Sequence, residues 1–144
     1  MTNPKTPNKT KRVTFFQVIS DQMKRNRIVS VAHEYFEKKQ PLLFKLPHKK
    51  ALEYLDFLLW RLPQDSFLPH VIKDTPCQDL IVLTSSEENP SGARSVFNLT
   101  GEPILNPHFT TIYTFEDLSS TEKNTIAQKH YHAYKAHGYK IISL

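Results

Sequence analysis

Within fifty residues the chain changes hydrophobic period three times. Arg12 to Val18 is a run of β-branched and aromatic residues and reads as a strand. Residues 19–26 read as a polar connector. Ile28, Val31, Ala32, Tyr35 and Phe36 then recur at helical spacing, and Glu37, Lys38 and Lys39 close the pattern before Pro41. Leu42 to Leu46 is a short apolar run, a buried strand. Pro47 fits just before or at the start of the next helix, Ala51 to Leu62. Strand, helix, strand, helix predicts an α/β fold with parallel neighbours, because a parallel pair needs a crossover long enough to hold a helix.

The later segments extend the same sheet. Phe67 to Ile72 is an extended run that Pro69 pushes towards an edge or a short piece. Leu80 to Leu83 reads as a buried strand, Glu87 to Arg94 as a turn-rich connection, and Ser95 to Leu99 as a strand ended by Thr100-Gly101. Thr110 to Phe115 is a further strand. Ser119 and Glu122 have capping-box spacing, so a helix is expected from there to His137, with Gly138 at its C′ position. Tyr139 to Ile142 then forms a last strand or a tail on the sheet. Gly92, Gly101 and Gly138 are the only glycines, and none falls in a strand-to-helix turn. A dinucleotide fingerprint and a P-loop both need glycines there, so the layers are expected without the nucleotide site.

The segment Ala51 to His70 carries an anomaly. On a wheel of about 100° per residue, Ala51, Leu52, Leu55, Leu58 and Leu59 share one arc, the core face of an amphipathic helix. Phe57 and Trp60, the chain's single tryptophan, fall opposite, beside Glu53 and Asp56. Pro63 stops the helix and Phe67 follows in the exit loop. Large aromatics on the wrong face call for a cover. Either another part of the chain packs over them, or a partner protein does, since Trp and large apolar anchors dominate interface energetics.

Charge is unevenly spread. The net charge is +5, and Lys5, Lys9, Lys11 and Arg12 supply four of it with no acid among residues 1–12, leaving +1 for residues 13–144. The first segment reads as a disordered, solvated basic arm, followed by a single domain over 13–144. The body is not a strongly basic nucleic-acid binder. No apolar run is long enough for a membrane span, no secretory signal opens the chain, and a lone cysteine cannot form an internal disulfide; together these point to the cytoplasm.

Candidate chemistry is sparse. Cys77 lies just before an apolar strand and reads as a structural cysteine rather than a nucleophile. His130, His132 and His137 crowd the last helix, but His130 and His132 point apart, so no metal is expected. His70, in a Ser-Phe-Leu-Pro-His turn, reads as a hydrogen-bonded structural histidine, since no nucleophile elbow accompanies it. Lys123 to Lys140 holds four lysines and no acid. Ile126, Ala127, Ala133 and Tyr134 form that helix's apolar arc, with Tyr131 at its edge beside Lys135, Gln128 and Asn124. An aromatic between an apolar arc and a basic face suits an acidic peptide with an apolar end.

Leu55-Asp56-x-x-Leu59-Trp60, followed by Ser66-Phe67-x-Pro69-His70, resembles the signature of the chi subunit of bacterial DNA polymerase III. Tyr131-x-Ala133-Tyr134-Lys135-x-x-Gly138-Tyr139 is similar to that family's closing motif, and Val13-Thr14-Phe15-Phe16 fits its opening strand. The match runs from about Val13 to Tyr139. The resemblance implies a three-layer Rossmann-like α/β sandwich without nucleotide chemistry, no cofactor and no catalytic site. It implies an accessory subunit in the clamp-loader part of the replicase that meets DNA only through another protein. The psi subunit, or a repair helicase, would bind at Trp60, Pro63 and Phe67, with Phe57 beside them. The C-terminal tail of single-stranded-DNA-binding protein would bind at Tyr131, Gln128, Lys129, Lys135 and His132. Family members tend to carry arginine at the place of Gln128 and a basic residue at that of His132, so a bidentate carboxylate grip is missing. The competing expectations are a direct single-strand binder using the basic arm and the basic last helix, and a small hydrolase or transferase using Cys77 or His70.

Overall fold

In the computed structural model, residues 10–64 and 66–144 are described. Residues 1–9 of the expected basic arm lie outside them, and Arg12 already belongs to the first strand. The elements are β1 (Arg12–Val18), α1 (Asp21–Glu37), β2 (Leu42–Lys45), α2 (Lys49–Arg61), β3 (Val71–Ile72), β4 (Ile81–Thr84), β5 (Ser95–Asn98), β6 (Thr111–Asp117), α3 (Thr121–Ala136) and β7 (Lys140–Ser143). The strands form one sheet in the order β3-β4-β2-β5-β6-β1-β7, and every pairing is parallel.

Strand alternation divides the core in two. Phe16, Val18, Leu42, Phe44, Ile81, Leu83 and Phe97 face α1 and α2, meeting Ile28, Val31, Ala32 and Tyr35 of the first and Leu52, Leu55, Leu58 and Leu59 of the second. Val13, Phe15, Leu43, Val82, Val96 and Ile112 look the other way, towards Tyr134 of α3. Helices therefore cover both faces of the sheet, the expected three-layer sandwich. The core arc read for α2 is the buried one, and Ala51 packs partly buried at its margin.

Four local expectations are corrected. Residues 19–26 are not a connector: Ser20 caps α1, its side chain accepting from the Met23 N–H at 3.2 Å, and Asp21 to Arg27 form the first turns. These side chains carry no apolar stripe, so periodicity cannot find them, although Gln, Met, Lys and Arg are good helix formers. α2 starts two residues before Ala51, with His48 Nδ1 accepting from the Ala51 N–H at 3.2 Å. The run from Phe67 to Ile72 shrinks to the two-residue edge strand β3. The N-cap of α3 is Ser120, accepting from the Lys123 N–H at 3.2 Å. Ser119 turns back to Asp117, so no capping box forms with Glu122. Gly138 takes φ +82° just past the His137 C-cap, as its expected role requires. The tail is a true strand: β7 pairs with β1 from Arg12↔Lys140 to Phe15↔Ser143.

Candidate protein-docking sites

The end of α2 holds the first candidate. Phe57, Trp60 and Phe67 are 54%, 42% and 61% exposed, and Pro63 is exposed between them. Among the described residues, no segment covers these aromatics. The patch is nevertheless built, not loose. The indole of Trp60 rests on the His70 ring, centroids 4.3 Å apart, and the His70 side chain is fully buried beneath it. His70 Nδ1 lies 2.6 Å from the Leu68 carbonyl oxygen, and Nε2 lies 2.9 Å from Asp56 Oδ1. The imidazole thus ties the exit loop to the helix and floors the indole. The Arg61 guanidinium lies 4.2 Å from the Phe57 ring centroid. Beyond a cis Leu62–Pro63 bond, Phe67 adopts φ +48°, a left-handed conformation costing about 1–2 kcal/mol for a residue with a Cβ. That conformation sends its ring outward while Leu68, next in sequence, is buried.

The outer flank of α3 is the second candidate. Ala127, Gln128 and Tyr131 meet Phe15, Gln17, Glu116 and Ser143 around a shallow groove of about 260 Å³. Tyr131 is half-buried, its ring 6.3 Å from that of Phe15, and Lys135 Nζ sits 5.6 Å from its centroid. His132 is exposed, its ring nearly perpendicular to that of Tyr131 with centroids 5.6 Å apart. Lys129 does not join them. It pairs with Glu102 at 2.9 and 3.0 Å, on another side of the helix. The groove carries an acid of its own, Glu116, which accepts from Gln17 Nε2 at 3.1 Å.

A crevice of about 470 Å³ opens on the other flank of α3, between it and the first turns of α1, at the carboxyl ends of β5 and β6. Asp117 lies at its base, 5% exposed, accepting from the Ser119 N–H at 2.9 Å and the Ser119 hydroxyl at 2.6 Å. It is ion-paired with Lys24, and Lys123 Nζ is 3.9 Å away. Burial alone would raise this carboxyl, but the Lys24 and Ser119 hydrogen bonds outweigh it and hold its pKa down at about 2. In open α/β sheets, ligand phosphates sit at such strand-to-helix turns. Here the protein's own carboxylate takes up the lysines and the turn's N–H.

The family model of the DNA polymerase III chi subunit, HolC, matches residues 10–142 of the 144. The chain belongs to the DNA polymerase III chi subunit family. A search of curated proteins returns no match. Membership of the chi family gives the chain an accessory role in DNA replication, alongside the polymerase rather than as the polymerase. No helix among the described residues is long and apolar enough to cross a membrane.

In this chi-family chain the residues weighed for catalysis have packing and hydrogen-bond partners of their own. Both His70 ring nitrogens are engaged under Trp60, and the residue lines neither groove nor crevice. Cys77 packs against the second core cluster, its N–H donating to the Pro90 carbonyl at 3.0 Å. Among the described residues, no three His, Cys, Asp or Glu side chains are grouped to hold a metal ion. His130, read as one of a crowd of histidines, is 2% exposed, and burial lowers its pKa. It occupies the apolar arc of α3 with Ala127 and Tyr134, whereas Ile126, assigned to that arc, is 44% exposed at the crevice. The Asp117 cluster was missed altogether. Its only sequence signal is Asp117-x-Ser119-Ser120, a turn-and-cap pattern that does not name its lysines.

Proposed function

We propose that the chain is a non-catalytic cytoplasmic adaptor of the replicase, joining its clamp-loader part to single-stranded-DNA-binding protein. The observation that carries this is the aromatic patch of Phe57, Trp60 and Phe67, with Pro63, supported from below by the buried His70 ring and its Asp56 partner. A preorganised aromatic patch loses little entropy on docking, which suits a protein partner. The psi subunit, or a helicase using the same surface, is that partner. The second contact is the acidic tail of single-stranded-DNA-binding protein, docking against α3. Tyr131 with Lys135 above its ring, beside Gln128 and His132, supports this, while the Glu102 pairing of Lys129 weakens the expected set.

The test is titration of a purified psi-containing clamp loader with wild type and Trp60→Ala, followed by size-exclusion chromatography and calorimetry. Loss of at least about tenfold in affinity, with an unchanged circular-dichroism spectrum, is the expected result. Equal affinity for both proteins would remove the patch from the reading.

A further inference from the structure

A neutral His70 has one proton too few for the two partners it meets. Its Nδ1 is 2.6 Å from the Leu68 carbonyl oxygen and its Nε2 is 2.9 Å from Asp56 Oδ1. A carbonyl oxygen and a carboxylate both accept, and neither donates. A neutral imidazole carries a single N–H, so in either tautomer one nitrogen sets its lone pair against an oxygen at hydrogen-bond distance. Both contacts are satisfied only when the His70–Asp56 pair holds one further proton. The His70 side chain is fully buried while that of Asp56 is 38% exposed, so this proton reaches solvent from the Asp56 side. The Trp60 indole, 4.3 Å away between centroids, lies close enough to feel a charge on the ring. Asp56 is the charged group that α2 turns to His70. Glu53 and Arg61 of that helix are exposed, and Arg61 lies over Phe57. After β3, Lys73 is exposed and Asp74 accepts from Thr84 and Ser86. Among the described residues, no other ion pair or hydrogen bond reaches the ring.

We infer that His70 is a proton-operated latch beneath the Trp60 patch. With a proton on both nitrogens it ties Asp56 of α2 to the exit loop and sets a cation under the indole. With one proton it releases one of the two, and the patch loses its fixed geometry. The inference deepens the docking reading of this patch and rests on it for one consequence, that a partner there is held more weakly as pH rises. The proton itself is tested on the free protein.

Trp60 is the chain's single tryptophan, so its emission reports this contact alone. An imidazolium against an indole quenches fluorescence more strongly than a neutral imidazole. Emission of the wild type should rise in a one-proton step between about pH 6 and about pH 9, with an unchanged circular-dichroism spectrum. Nitrogen-15 spectra should show both His70 nitrogens as N–H below the step and one above it. Asp56→Asn offers an amide donor to Nε2, so a neutral ring has both contacts satisfied and the step should disappear. His70→Gln should remove it as well. A flat wild-type profile, or an unaltered step in Asp56→Asn, overturns the latch. The clamp loader of the preceding test is then titrated at both ends of the range. Its affinity for wild type should fall about fivefold towards high pH and stay level for Asp56→Asn. Equal affinity at both ends, with the emission step present, overturns the link to docking. No binding at either end, with the step present, removes the docking reading and upholds the latch.

Discussion

Asp117 is a single residue on which two elements depend. It accepts from the turn before α3 and pairs with Lys24 of α1, so Asp117→Asn leaves Lys24 and the turn's donors without their anionic partner. We expect a loss of about 2 kcal/mol, read by urea unfolding at neutral pH. The pH dependence follows from the depressed pKa, about 2 against an ordinary 3.8. The folded state releases this proton more readily than the unfolded chain, so the contribution is full above pH 3.8 and is lost as pH falls towards 2. His130 acts in the same direction in a higher window. Burial holds it below its ordinary 6.5, so the unfolded chain takes up the proton first and stability starts to fall below that pH. Urea midpoints measured from pH 7 to pH 2 should therefore fall in two stages, with Asp117→Asn removing the lower one. Trp60→Ala belongs to the opposite class. Its ring is half-exposed, so stability should change by under about 1 kcal/mol while partner binding collapses.

At the scale of the element, the caps decide where helices begin. Ser120→Ala should cost about 1 kcal/mol in thermal or urea unfolding. Glu122→Ala should cost far less than a capping-box partner would, because the box is not formed. What was legible in the sequence was the part governed by burial. The arc of Leu52, Leu55, Leu58 and Leu59, the outlying Phe57 and Trp60, and the runs that became β1, β2, β4, β5 and β6 all follow from period and apolar content. What was not legible was decided by partners distant in sequence. The start of α1 is polar, and its Lys24 is explained only by Asp117, nearly a hundred residues away. In α3, an arc drawn from apolar residues alone takes in Ile126, Ala127, Ala133 and Tyr134 and leaves out the imidazole of His130. The fold reverses Ile126 and His130, since residues 127, 130 and 134 share one stripe at i, i+3 and i+7, and 126 stands beside it at the crevice. Lys129 had no signal of its pairing with Glu102, which lies in a loop.

At the scale of the whole molecule, the sheet separates the candidate surfaces. α2 and its exit loop lie on one face, and the outer groove of α3 opens on the other, so a partner on Trp60 and a peptide in that groove need not compete. Binding energies at the two should be additive: saturating the α3 site with an acidic peptide should leave affinity at the Trp60 patch within about twofold. The strand order carries a further consequence. β1 is made early, yet its two neighbours are β6 and β7, registered on Arg12 through Thr111 and Lys140. At synthesis speeds of about 5–20 residues per second, the first β1 partner emerges roughly 5–20 s after β1 itself. Through that interval Val13, Phe15, Phe16 and Val18, all buried in the finished fold, have no sheet to join. A nascent chain of this design is therefore a natural client for a ribosome-associated chaperone, and a premature stop before β6 leaves a product whose first strand can pair only with another molecule.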